Sequence, residues 1–349
     1  MSSLDFPPAS STSTAPSSSN ASYVLSPVVV LTGASSGIGR ATALAFAAEG
    51  ADLVLAARER EALEVVAAEC SEAGARVLVH PTDVTDAAAV KRLAEAAMER
   101  FGQIDVWINN VGVGAIGLFD QTPIDAHRRV VEANLLGHMN GAHAVLPHFR
   151  ARGCGTLINM ISVGGWVSSP YAAAYSASKF GLRGFSEALR AELAELPGVR
   201  VCDVYPTFVD TPGVTHGANY SGHRLSPPPG LVDPRRVAKV LLSLSRRPRA
   251  STYLGAGARA GIWAHALAPN LMARLMRWAT ERALKSAEPR PQTDGNLFTP
   301  SRGHAIDGGF AASRPDHQAA ASVGIAVTAM GAVALAGWWA LRRRRPARC

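Results

Sequence analysis

The sequence predicts an α/β fold: a single domain built on a doubly wound parallel sheet with helices on both faces. Three observations carry this. Short, continuous apolar runs recur from Val28 onward, as strands buried on both faces of a sheet require. Stretches with helical spacing lie between them, the alternation that right-handed βαβ units produce. A glycine-rich turn, Thr32 to Gly39, joins the first run to the first helical stretch.

Taken in order, Val28-Val29-Val30-Leu31 reads as the first strand and Gly39 to Glu49 as the first helix. Leu53-Val54-Leu55 and Val77-Leu78-Val79 are the next strands, followed by helical stretches at Arg60 to Ala73 and Ala87 to Phe101. Val106-Trp107-Ile108 and Thr156 to Ile161 flank one long helix from Ala126 to Arg150. A helix from Ala174 to Leu196 leads into a strand at Val199-Cys202-Val204.

These elements place the domain at residues 27–260. Ahead of it, residues 1–26 are Ser, Thr, Pro and Ala, too poor in large apolar groups to offset ordering entropy, and read as a disordered lead-in without a secretory signal. Behind it, residues 261–287 read as an amphipathic helical extension, with Trp263, Leu267, Leu271, Leu275 and Trp278 at helical spacing beside Arg274, Arg277 and Arg282. Residues 288–320 lack periodicity and read as a linker. Within 321–341, the run from Val323 to Leu341 carries no charge and matches the roughly 20 residues that span a bilayer. Trp338-Trp339 would sit at the interface, and residues 342–349 form a basic tail. The expectation is a membrane protein with one C-terminal span and a cytoplasmic domain.

Composition narrows the class. In 349 residues, 48% are hydrophobic but only 6% aromatic, so the core must be mostly Ala, Val, Leu and Ile. Four cysteines without CxxC spacing argue against a disulfide framework or zinc site. The net charge is +8, yet Arg342 to Arg345 and Arg348 supply five of those charges at the C-terminus, which argues against a nucleic-acid surface. His216 and His223 read as plain loop residues, and no metal is expected.

In the glycine turn, Gly33 and Gly37 allow a tight bend and close approach of backbone to a pyrophosphate. Gly39 lets helix and strand pack closely, and the helix N-terminus offers N–H donors, here around Ser35, Ser36 and Ile38. The spacing is TGxxxGxG, and with the landmarks that follow it the chain resembles the short-chain dehydrogenase/reductase superfamily over roughly residues 27–255. Asp83-Val84 stands where that resemblance puts the acid that holds adenine. Asn109-Asn110-Val111-Gly112 resembles the NNAG element, and Pro206 to Thr211, including Val209, the element beside the nicotinamide. At the end of the second strand, Arg58 can pair with a 2′-phosphate where an acid would repel it, with Arg40 as a second cation. NADP(H) is therefore favoured over NAD(H), which is the alternative. The fold so implied is Rossmann-type.

Tyr175 and Lys179 stand at i and i+4 on one helix, within reach of each other. A nearby ammonium favours phenolate and moves a phenol toward the working pH range. Ser162, thirteen residues before Tyr175, matches the serine that steadies the substrate oxygen, and Asn134 matches the asparagine of a water-linked relay to the lysine. The resemblance implies an enzyme that interconverts an alcohol and a ketone or aldehyde by hydride transfer, with Tyr175 as acid/base and Lys179 also holding the cofactor ribose. The loops after Ser162 and after the Asn pair are mostly apolar, which points to a lipophilic small-molecule substrate. The resemblance also implies a homo-oligomer. The competing reading is a non-catalytic membrane-anchored sensor or scaffold that binds NADP(H).

Overall fold

The computed structural model describes residues 26–310 apart from positions 229 and 302. Seven parallel strands form its sheet: β1 (Val28–Thr32), β2 (Asp52–Ala56), β3 (Val77–Val79), β4 (Val106–Asn109), β6 (Gly155–Met160), β7 (Val199–Pro206) and β9 (Ser251–Leu254). A separate two-residue pair, β5 (Ala115–Ile116) with β8 (Ala218–Asn219), lies beside it. Along β1, Val29 and Leu31 join Leu53, Leu55 and Ile108 in one apolar cluster. Val30 faces the other way and joins Val54, Trp107 and Leu157 in a second. Strand side chains alternate between faces, so a continuous apolar run is what a sheet covered on both sides demands.

The helices supply the cover. α1 (Gly37–Ala47), α2 (Arg60–Glu72) and α8 (Pro234–Arg246) contribute Phe46, Leu63, Val66 and Leu241 to the first cluster. α3 (Ala87–Phe101), α5 (Gly137–Arg152) and α6 (Ala173–Glu192) contribute Leu93, Val145, Phe149 and Leu189 to the second. Strand order is β3-β2-β1-β4-β6-β7-β9. The chain leaves β1 toward β2 and β3, then crosses back to place β4 on β1's other side. A crevice opens beyond the carboxyl ends of β1 and β4 at that reversal.

Three local features depart from the sequence expectation. The helix expected from Ala126 to Arg150 is α4 (Ile124–Val131), a π turn over Glu132–Leu136, and α5. Asn134 in that turn is fully buried and clamps Val113 on both sides, accepting from its N–H at 2.8 Å and donating to its carbonyl at 2.9 Å. A wide turn at such a cross-link is a common functional distortion of a helix. The strand β9 escaped the pattern because Ser-Thr-Tyr-Leu is short and only partly buried. α8 begins at Asp233, whose carboxylate accepts from the Arg235 N–H at 2.7 Å.

The extension is a helical pair, α9 (Ala258–Leu267) and α10 (Pro269–Lys285), preceded in chain order by the short turn α7 (Gly213–His216). Trp263, Leu267 and Trp278 remain well exposed there. The segment expected to be a linker is described to residue 310 and is bonded to the domain. Thr293 and Asn219 exchange both backbone hydrogen bonds, and Asp307 accepts two from Arg235. Among the described residues no helix is long and apolar enough to cross a membrane. The lead-in, the uncharged run and the basic tail all lie outside the described residues.

Candidate active site

At the nucleotide end of the crevice, Gly33 and Gly37 have φ of +66° and +54°, a region that favours glycine. At Gly39 the requirement is steric, since an added Cβ would lie 1.9 Å from the Gly33 carbonyl oxygen. Ser35, Ser36, Gly37 and Ile38 line a groove of about 200 Å³, open to solvent, that also meets Arg58, Asp83, Val84 and Asn110. Asn110 ties β1 to β4: its N–H donates to Thr32 Oγ1 at 3.1 Å and its side-chain amide to the Gly33 carbonyl at 3.1 Å. The first amides of a helix lack intrahelical partners and carry the positive end of its dipole. The turn and helix terminus suit a pyrophosphate, although the Gly37 N–H already donates to the Ala305 carbonyl at 2.9 Å.

The charged residues are more engaged than the sequence suggested. Arg40 grips Glu69 through two bonds and donates to the His304 carbonyl at 2.6 Å, so it is not the free second cation expected. Arg58 donates to the Asn296 and Leu297 carbonyls at 2.6 and 3.1 Å, and its burial lowers its pKa. Asp83 accepts from the Thr85 N–H and hydroxyl with one oxygen and from Arg129 at 2.6 Å with the other. Burial alone would raise its pKa, but these hydrogen bonds outweigh it and hold the carboxyl below the usual range. Both oxygens already have partners, so adenine would share Asp83 with Arg129. Val209 packs against the core, and the residues that follow it, Thr211, Pro212, Gly213 and His216, line the groove. Thr207, where the resemblance has glycine, is accommodated by Gly255, at which an added Cβ would meet Thr207 Oγ1 at 2.0 Å.

Deeper in the crevice, Ser162 ends β6 with φ +129°, a conformation side-chain-bearing residues rarely adopt. Its hydroxyl accepts from the Gly164 N–H at 3.1 Å and donates to the Pro206 carbonyl at 3.4 Å. Tyr175 and Lys179 project from α6, with the Lys179 ammonium 5.8 Å from the tyrosine ring centre. Lys179 is 3% exposed and donates to the Met160 carbonyl at 3.0 Å. Burial pulls its pKa down to about 7.

Burial pushes the Tyr175 phenol up, and the nearby Ser162 hydroxyl pulls it back only in part. Lys179 does not bring the phenol below its ordinary value in the cofactor-free protein. Asn134 reaches Ser178 Oγ at 3.2 Å, and that hydroxyl donates to the Tyr175 carbonyl at 2.7 Å. It braces α6 and has no direct bond to Lys179. His138, which the sequence reading missed, is buried, and burial and then Lys179 drive its pKa well below the ordinary value. A lone histidine inside a helical stretch carries no sequence signal. Among the described residues no group of His, Cys, Asp and Glu is arranged to hold a metal.

Comparison with known proteins places this arrangement. Residues 27–219 match the short chain dehydrogenase family. The oxidoreductase YxnA of Bacillus subtilis (strain 168) is 34% identical over 272 residues, covering 76% of each chain. Dehydrogenase/reductase SDR family member 7 of Homo sapiens is 39% identical over 183 residues, 51% of this chain and 54% of that one, so the match spans about half of the human protein. Among solved structures, an alcohol dehydrogenase from the archaeon Thermococcus sibiricus, complexed with 5-hydroxy-NADP, is similar with a TM-score of 0.58 and 30% identity, over 66% of this chain and 96% of that one. A metagenomic short-chain oxidoreductase in complex with NADP gives 0.56 and 29%. The chain belongs to the short-chain dehydrogenase family and is an oxidoreductase.

Proposed function

We propose that this chain is an NADP(H)-dependent oxidoreductase that interconverts an alcohol and a ketone or aldehyde at Ser162, Tyr175 and Lys179. The observation that carries the reading is their convergence: the Tyr175 ring and the Ser162 hydroxyl both flank Gly164, at 3.1 and 3.4 Å from a Cβ added there, and the Lys179 ammonium lies 5.8 Å from the same ring and close to Gly112, which lines the groove. When bound, the nicotinamide cofactor supplies or takes up the hydride. Tyr175 gives its proton to the carbonyl oxygen in reduction and takes it from the hydroxyl in oxidation. The Ser162 hydroxyl holds that oxygen in place as charge develops on it. Lys179, anchored on Met160, keeps a proton available close to the phenol. Two similar structures contain NADP or a derivative of it, and Arg58 stands at the end of β2 beside the groove, which supports NADP(H) over NAD(H).

The finer parts of the proposal rest on less. Exposed Leu118, Phe119 and Phe208 near the site support a lipophilic substrate. An apolar recess lined by Phe119, Ile124, Val131 and Ala174, between α4 and α6, supports pairing with a second copy. The uncharged run 323–341 with its arginine tail supports a C-terminal anchor holding the domain in the cytoplasm. The test is nicotinamide oxidation by the full chain in detergent across lipophilic ketones and aldehydes, with NADPH and NADH in parallel. Tyr175→Phe should lower turnover by about 10²–10⁴-fold while NADPH binding stays. Unchanged turnover in that variant would refute the assignment.

A further inference from the structure

Beyond the matched domain, the chain returns from α10 and passes along the nucleotide end of the groove over residues 293–301 and 303–308, with Asn296, Leu297, Pro300 and Ser301 lining it. This strap is pinned at both ends. Asp294 accepts from the Tyr220 hydroxyl at 2.5 Å, and Asp307 takes two bonds from Arg235 at 2.6 and 2.8 Å. Leu297 is 1% exposed and packs with Ala126, Val130 and Tyr220. Between the pins, the strap turns main-chain carbonyls toward the groove's donors. Leu297 O accepts from both Arg58 and Arg129, Asn296 O from Arg58, and Ala305 O from the Gly37 N–H at 2.9 Å. One acceptor is left over. Asn296 lines the groove, and its side-chain oxygen is buried without a hydrogen-bond partner. A buried amide oxygen without a donor is costly, and a bound donor would relieve it.

We infer that residues 293–301 and 303–308 form the adenosine-side wall of the nucleotide site, with the Asn296 side-chain amide hydrogen-bonding adenosine and the Asn296 and Leu297 carbonyls aiming Arg58. The inference rests on the NADP(H) reading above. Adenosine offers donors at its amino group and ribose hydroxyls, which suits a surface of carbonyl oxygens. Phosphates do not suit such a surface unless a cation stands between, and Arg58 stands there. A guanidinium has five N–H donors, and the strap engages Nη1 and Nη2, leaving Nε–H and a second Nη1–H for a 2′-phosphate. Holding the planar fork in advance reduces the ordering cost of binding.

The test is calorimetric binding of NADPH and of 2′,5′-ADP, the adenosine half alone, to the full chain and two variants. Asn296→Ala should weaken both ligands by about tenfold. The urea midpoint of the cofactor-free protein should stay level or rise, because the variant removes an unsatisfied acceptor, whereas a merely structural asparagine would lower it. Leu297→Ala, which loosens the strap, should also weaken both ligands. Equal binding by wild type and Asn296→Ala would overturn the inference alone, and tighter binding by Leu297→Ala would make the strap a competitor. A wild-type chain that binds neither ligand would remove the cofactor reading, and the inference with it.

Discussion

Replacing Lys179 by methionine should make the cofactor-free protein more stable at neutral pH and less stable at high pH. Lys179 is 3% exposed and is held by a carbonyl, with no carboxylate partner among the described residues. Its fall from 10.5 to about 7, at about 1.4 kcal/mol per pH unit, weights the neutral amine by about 5 kcal/mol in the folded state. Because the folded pKa lies below the unfolded one, the unfolded chain holds more protons between pH 7 and 10.5. Stability contributed by this group therefore climbs through that window and is lowest beneath it. Methionine keeps the length, removes the titration, and leaves the Met160 carbonyl unpaired at a cost of about 2 kcal/mol. Below pH 7 the variant should lead by about 3 kcal/mol, and above pH 10 it should trail by about 2. Urea unfolding of both proteins across this range reads the crossing directly. Parallel curves would refute the claim that burial of the ammonium, and not its hydrogen bond, dominates this position.

Gly39→Ala should cost about 1–3 kcal/mol and abolish tight NADPH binding, because its Cβ would meet only backbone of Gly33 and Ala34; thermal unfolding and calorimetry check both, and a variant that matches wild type in each sinks the packing role. Arg58→Leu should weaken NADPH by about 10–100-fold and NADH far less, the expected loss of a charge-assisted bond to a 2′-phosphate. Equal losses with both cofactors would show that Arg58 acts through the strap alone. Arg190→Leu should destabilise the fold by about 3–5 kcal/mol, since it strips the partner, at 2.9 Å, from the fully buried Asp203. Adding Asp203→Asn should recover most of that loss in urea unfolding, and no recovery would mean that Arg190 matters for packing instead.

Much of the site could be read from the sequence because its signals are local. The glycine turn, Ser162 at a strand end and the Tyr175–Lys179 pair each lie within a few residues of the element that positions them. The apolar runs marked six of the seven sheet strands for the same reason, since burial on both faces leaves a continuous pattern. The π turn was hidden because Asn134 bonds to Val113, twenty-one residues away, and nothing in the helical spacing announces that clamp. The charge of Arg58 was legible, but its partners are 238 and 239 residues further along.

The strap shows why that last gap matters. Residues 288–310 carry proline, glycine and aspartate without periodicity, which shows only that they form no repeating ladder. Every residue still presents a carbonyl oxygen, whatever its side chain, and those oxygens engage Arg40, Arg58, Arg129 and Gly37. Binding of this kind uses the backbone, so side-chain composition cannot encode it. At the pins the polar side chains, Asp294 and Asp307, pass for ordinary loop residues until Tyr220 and Arg235 are brought beside them. An aperiodic tail that ends at a cation-rich groove is therefore better treated as a candidate wall of that groove than as a spacer. Asn296 is where the difference between the two can be measured.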